Sequence, residues 1–277
     1  MKLQNFNPEL TIETDSFVWR YMDFTKISDL ISNNTLYFSR LDTFHDPIEG
    51  LPLPYRANLQ TLHVLKCEIP DDEFAKLDKA PNKINKQQID KYQKGTYCSC
   101  WYLTEFENGN AKSTTHHESI AMWNFFNDCA GFVLKISFKS LLELISDSLN
   151  NLIDEELFDA NFGKVYYLNY GEYFKMLNSS DKDFMPSLIK HDSYRFENEL
   201  RFLLLRDKVI DKTNDRVGIK VKLTQNLNCK DHQVEIIAHP DMNETDFKFY
   251  RTKFKDLGFD LKVSSILTNN SVRRLFN

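Results

Sequence analysis

The chain has 277 residues, 42% of them apolar, enough to fill a sizeable core. Its 35 basic and 40 acidic residues leave a net charge of -5, which gives no overall electrostatic reason to bind nucleic acid or a membrane surface, although a local basic groove stays open. Only 8 glycines occur, with neither a G-x-G-x-x-G nor a G-x-x-x-x-G-K-[ST] run, which argues against a Rossmann turn or a phosphate-binding loop.

Phe17 to Met22 is aromatic and β-branched and reads as a strand. Asp23 to Asn33 follows as a helix, with Ile27, Leu30 and Ile31 at helical spacing behind an Asp23 or Thr25 cap. Thr35 to Ser39 reads as a second strand running into the turn-prone segment Arg40 to Gly50. From Leu51 to Gly95 the composition turns polar and Pro52, Pro54, Pro70 and Pro81 punctuate it. Residues 51–95 are therefore expected to be a helical insertion, a lid or cover on a single domain spanning 1–277.

Further strands are expected at Thr96 to Trp101, Gly131 to Phe138, Lys164 to Tyr170, Leu200 to Leu205 and Val217 to Leu223. Helices are expected at His117 to Asn127, through Leu141, Leu142, Ile145 and Leu149, and over Phe184 to Lys190. Residues 233–267 read as a C-terminal strand-helix-strand extension. Its helix runs from Glu244 to Leu257 between an Asn243 cap and a Gly258 stop, with Asp260 to Val263 as its last strand. The whole is α+β with a mixed sheet. The 5 cysteines, an odd number with no disulfide framework, point to a reducing, cytoplasmic setting. Neither a signal peptide nor a membrane span is expected.

Residues that can carry chemistry fall in an ordered series. It comprises Val18-Trp19-Arg20-Tyr21, Leu36-Tyr37-Phe38-Ser39, Phe44-His45-Asp46-Pro47-Ile48-Glu49-Gly50, Cys98-Ser99-Cys100-Trp101, Met122-Trp123-Asn124-Phe125-Phe126 and Tyr194 to Phe202 with its Glu197-x-Glu199-x-Arg201 core. Over residues 17–267 this series resembles a large bacterial domain family of unknown function. That family has a Tyr-His-Tyr strand, an Asn-Asp-Pro-x-Glu loop, a Met-Trp-x-x-Tyr helix and a Glu-x-Glu-x-Arg strand. Arg20 stands where the family usually has His, and His45 where it usually has Asn.

More remotely the chain resembles ADP-ribosyltransferases, whose split sheet binds NAD. The resemblance sets Arg20 as the first-strand element, Ser39 as the second and Glu199 as the catalytic carboxylate, with Glu197 completing the pair. It implies an NAD-dependent effector, a toxin or anti-phage defence protein, that modifies nucleic acid or protein and is met by an antitoxin or defence-system partner. NAD is then the substrate, and neither a metal nor a membrane is expected.

The residue types fit that chemistry. Glu199 can face the positive charge that develops at the ribose carbon, and Glu197, on the same face if the strand alternates, can polarise an acceptor. Arg20 suits a pyrophosphate, Tyr21 or Trp123 can stack on nicotinamide, and Ser39 can meet a ribose hydroxyl. Asp46 and Glu49 can form a polar wall or contact substrate.

Structural alternatives stand beside each assignment. Arg20 and Glu199 can pair across neighbouring strands, Glu197 can be a solvated strand residue, Trp123 can be core, and Ser39 and Asp46-Pro47 can be turn residues. Two further functions remain open at this level. One is a non-catalytic nucleotide- or nucleic-acid-binding module on the same scaffold. The other is a metal-dependent nuclease using Asp46, Glu49 and His116-His117, although His116-His117-Glu118 lacks zinc-site spacing.

Overall fold

The computed structural model describes residues 2–6, 16–71, 73, 86–104, 118–126, 131–152, 157–169, 171–172, 175, 185–206 and 217–268. Strand β1 (Leu3–Asn5) is followed by β2 (Phe17–Met22), helix α1 (Phe24–Asn33) and β3 (Thr35–Arg40). The Asp23 side chain caps α1 by accepting from the Lys26 amide. At the other end Asn34 turns left-handed at φ 49° and its side-chain amide donates to Leu223 and Gln225, which ends the helix and aims the chain into β3.

The 51–95 segment supplies α2 (Leu53–Glu68) and α3 (Lys86–Lys94), and β4 (Thr96–Leu103) follows. Then come α4 (Ile120–Phe126), β5 (Phe132–Ser137), α5 (Phe138–Asn150), β6 (Leu157–Lys164), β7 (Tyr166–Leu168), β8 (Ile189–His191) and β9 (Glu199–Arg206). The chain continues through β10 (Gly218–Lys222), β11 (Glu235–Ala238), α6 (Glu244–Asp256) and β12 (Leu261–Lys262).

Among the described residues, ten strands form one mixed, open sheet that forks at β4. One edge of β4 is covered by β9, which pairs from Thr96↔Leu205 to Tyr102↔Glu199, and beyond β9 lie β6 and β1. The opposite edge serves two partners. At its end β4 pairs with β2 (Val18↔Leu103, Trp19↔Tyr102), and at its start with β3 (Ser39↔Cys98, Arg40↔Tyr97). From there β2 peels away to pair with β5, which carries β11 and β12, while β3 peels away to pair with β10. Ser99, Cys100 and Trp101 therefore lie between two diverging branches.

The two faces of the sheet have different fates. Val18, Leu36, Phe38, Tyr97, Trp101, Leu200 and Phe202 turn into the main core with α1, α5 and α6. The alternating set faces the other way, where Trp19 and Tyr21 pack with Met122 and Trp123 of α4. Phe247, Tyr250 and Leu257 of the C-terminal unit pack on the main core beside buried Phe254. β11 and β12 run parallel, and the Asn243 cap and positive-φ Gly258 stand where the periodicity predicts.

Two regions differ from the sequence reading. The strand expected over Lys164 to Tyr170 splits into β6, which runs earlier, and the short β7, which pairs in parallel with β8. The apolar pattern does not mark β6 because it buries a polar residue: Asn161 is 3% exposed and donates to Asp159. In place of a helix over Phe184 to Lys190 there is a 3-10 turn, Pro186–Leu188, leading into β8, and Phe184 lies outside the described residues.

The 51–95 segment is helical where it is described. Pro52 and Pro54 begin α2, where the missing amide costs nothing. Buried Arg56 ties α2 to the carbonyls of Leu51 and Pro186, and Gln93 of α3 donates to those of Pro47 and Glu49. Among the described residues none of this segment lines the cleft described next, which the segment instead supports from behind the Asp46–Gly50 turn.

Candidate functional site

The fork opens a cleft of about 630 Å³, within the ~300–1,000 Å³ span of small-molecule sites. Its floor is the face of β4 carrying Cys98, Cys100 and Tyr102. One arm runs along β2 to the aromatic residues of α4, and the other along β3 and β10 through Ser39, Tyr37 and Lys220. The carboxylates of Asp46, Glu49, Glu197 and Glu199 also line it.

Arg20 sits in the gap between the branches. By strand alternation it belongs to the face of Val18 and Met22, so its guanidinium plugs the fork from the core side. It donates to Ser99 Oγ (3.0 Å) and to the Tyr37 carbonyl (3.2 Å), and lies 5.5 Å from the centre of the Trp101 ring. Among the described residues it has no carboxylate partner, and burial lowers its pKa. A guanidinium held in fixed geometry without a counter-ion can take an anion.

Opposite lies a buried network of charges. Arg201, 0% exposed, donates from Nη1 to Glu49 Oε1 (2.7 Å) and the Ser187 carbonyl (2.7 Å), and from Nε to Glu199 Oε2 (2.6 Å). Lys190 pairs with Glu197 and reaches within 3.9 Å of Glu49 and 3.8 Å of Glu199. Three carboxylates thus face two cations, and one proton on the carboxylates makes the network neutral.

The environments decide where that proton sits. Burial and the Glu199 charge push Glu197 up to about 8. Burial would also raise Glu199, but Arg201 and Lys190 outweigh it and hold that carboxyl well below its usual range. Two adjacent carboxyls driven apart in this way form an acid and a carboxylate at neutral pH. Asp46 is raised by burial and by Glu49, and both its Oδ2 and Glu49 Oε2 are buried without a hydrogen-bond partner among the described residues.

A pH dependence of stability follows. The folded protein keeps a proton on Glu197 between the ordinary value of 4.5 and about 8, whereas the unfolded chain releases it. The stability this group contributes is complete below about 4.5 and is lost as pH rises to about 8, at up to ~1.4 kcal/mol per pH unit. Urea midpoints between pH 5 and 9 should fall less steeply in Glu197→Gln than in the wild type. Parallel pH profiles would contradict the assignment.

The expected site residues converge with one exception. Arg20, Tyr21, Ser39, Asp46, Glu49, Glu197 and Glu199 all line the cleft. Trp123 does not: it is 0% exposed, packs edge-on to Tyr21, and its indole donates to Glu118, so it supports the aromatic wall from behind. The alternative in which Arg20 and Glu199 pair across neighbouring strands is not realised, because Arg201 takes the carboxylate.

Glu197 and Glu199 are neighbours, but not through strand alternation. Glu197 closes a 3-10 turn (Asp192–Glu197), and left-handed Asn198 at φ 35° swings the chain into β9. Asp46 and Glu49 are at once a turn and a wall. Asp46 Oδ1 accepts from the Ile48 amide, and at Gly50, φ 73°, a Cβ would come within 2.6 Å of Leu41 Cδ1. Ser39 contributes a hydroxyl with no protein partner among the described residues. His116 and His117 lie outside those residues, and no group of three or more His, Cys, Asp or Glu able to hold a metal occurs among them.

Three contributors carried no assigned role in the sequence reading. Arg201 shares a strand face with Glu199, so alternation could have found it. Lys190 and Tyr37 carry no comparable signal, since each reaches the site through tertiary geometry alone. No protein-family model matches this chain, and no curated protein or solved structure is significantly similar to it. No helix among the described residues is long and apolar enough to cross a membrane.

Proposed function

We propose that this chain is an ADP-ribosyltransferase-like effector that binds NAD in the forked cleft and transfers ADP-ribose to a protein or nucleic acid. The observation that carries the reading is the convergence of Arg20, Ser39 and Glu199, from three different strands, on one cleft in which Arg20 has no anionic partner among the described residues. In this reading Arg20 meets the pyrophosphate and Ser39 offers its hydroxyl to a ribose. Glu199, ionised, faces the ribose carbon as the bond to nicotinamide breaks and nicotinamide leaves with the electron pair. Glu197 lies beside it and, in its deprotonated form, takes the proton of the acceptor as the acceptor bonds to the ribose carbon, a role that strengthens as pH approaches 8.

A second reading is a nucleotide-binding module without chemistry. It is favoured by the engagement of Glu199 Oε2 with Arg201, which is how a structural carboxylate behaves. Incubation with NAD and cell lysate separates the two. The enzyme reading expects free nicotinamide and labelled ADP-ribose on a macromolecule, with Arg20→Ala raising KM at least about ten-fold through loss of a charged contact. Calorimetric binding of NAD with no turnover under any condition would leave the binding module.

A further inference from the structure

The β3–β10 arm carries a feature that the reaction at Glu199 does not use. Gly218 pairs with Ser39, and Lys220 with Tyr37, so all four stand on the cleft face of the ribbon. The Tyr37 ring lies diagonally over Gly218. A Cβ at position 218 would fall 2.1 Å from both its Cζ and its hydroxyl oxygen, so the ring occupies the space that any other residue's side chain would fill. The Tyr37 carbonyl in turn accepts from Arg20 Nη2 at 3.2 Å, which fixes the guanidinium beside this platform.

The cleft has aromatic residues on both arms, besides Phe44 and Tyr194 beside the carboxylate network, with a cation at the fork between the arms. The β2 arm holds Trp19, Tyr21 and Tyr102, and Tyr102 is the register partner of Glu199. The β3 arm holds Tyr37, with Lys220 at its rim. A dinucleotide has the same plan, two planar bases joined through a pyrophosphate. The ribose to be cleaved must reach Glu199, which places its base in the β2 arm, and Phe44 and Tyr194 stand with the carboxylates at that same end, so the other base lies across the fork on the β3 arm, where Tyr37 stands.

We propose that Tyr37, packed against Gly218, is the stacking platform for the adenine of the dinucleotide. This rests on the NAD reading above and adds the direction in which the ligand lies. Base-on-aromatic stacking is lost when the ring is removed and is kept when only the hydroxyl is removed.

The test uses the full chain and two half-ligands, ADP and nicotinamide mononucleotide, titrated calorimetrically. Tyr37→Ala and Gly218→Val should each weaken ADP binding roughly ten-fold or more, with Tyr37→Phe close to wild type and the affinity for nicotinamide mononucleotide held within about two-fold. Tyr37 is only part-buried, so circular dichroism should find the alanine variant folded. If Tyr37→Ala weakens nicotinamide mononucleotide instead, or leaves ADP unaffected while NAD is still bound, the platform assignment is overturned and the NAD reading survives. If the wild type binds neither half-ligand nor NAD, both fall together.

Discussion

Replacing Arg201 by methionine is expected to destabilise the fold by about 3–5 kcal/mol, the cost typical of removing one partner from a buried ion pair. The guanidinium is fully enclosed and its donors serve Glu49, Glu199 and the Ser187 carbonyl. Once it is gone, Lys190, at 3.9 and 3.8 Å, is the one cation that the described residues leave within ion-pair distance of both carboxylates, and it also hydrogen-bonds Glu197. Methionine fills much of the volume but supplies no charge, so the penalty is electrostatic rather than a cavity. Urea unfolding measures it. Glu49→Gln in the same background should cost much less than in the wild type, because the charge it removes no longer has a partner to lose. A single-variant cost below about 1 kcal/mol would mean that solvent reaches the network and screens it.

The parts of the molecule that the sequence made legible are those whose signal is local. The helices α1 and α6 carry apolar stripes bounded by the side-chain caps Asp23 and Asn243, and each begins at its cap. Position 123 shows the same logic from the other side. A tryptophan on an apolar helical face is core by default, and the tertiary structure adds no reason to bring it to the surface.

The resemblance to ADP-ribosyltransferases implies a split sheet, but no local pattern marks the fork, because it depends on two strands leaving the same edge of β4 in opposite directions and no residue of either strand encodes that choice alone. The relation of Glu197 to Glu199 was legible in outcome and misread in cause. The two carboxyls meet, but the left-handed turn at Asn198 brings them together, and a period of two along a strand does not describe it. Lys190 illustrates the remaining limit. A lone lysine on a three-residue strand reads as surface, yet it is 6% exposed among three carboxylates, and only the assembled fold determines that.

Glu199→Gln is expected to lower the rate of nicotinamide release by roughly 10²–10³, the usual effect of removing one preorganised electrostatic contact to a transition state. Glutamine keeps the size of the side chain and an oxygen that can accept from Arg201, so the geometry of the network is retained while the charge facing the ribose carbon is lost. The deficit should fall on kcat with NAD affinity nearly unchanged, whereas Arg20→Ala should act mainly on KM, since a guanidinium that holds a pyrophosphate binds ground and transition states alike. That contrast separates a reacting carboxylate from a structural one. If Glu199 served only as the counter-ion of Arg201, its substitution would lower the urea midpoint and leave nicotinamide release per folded molecule at the wild-type rate. A variant that unfolds earlier and, where still folded, also turns over 10²-fold more slowly would show that the same negative charge holds Arg201 in place and faces the bond to be broken.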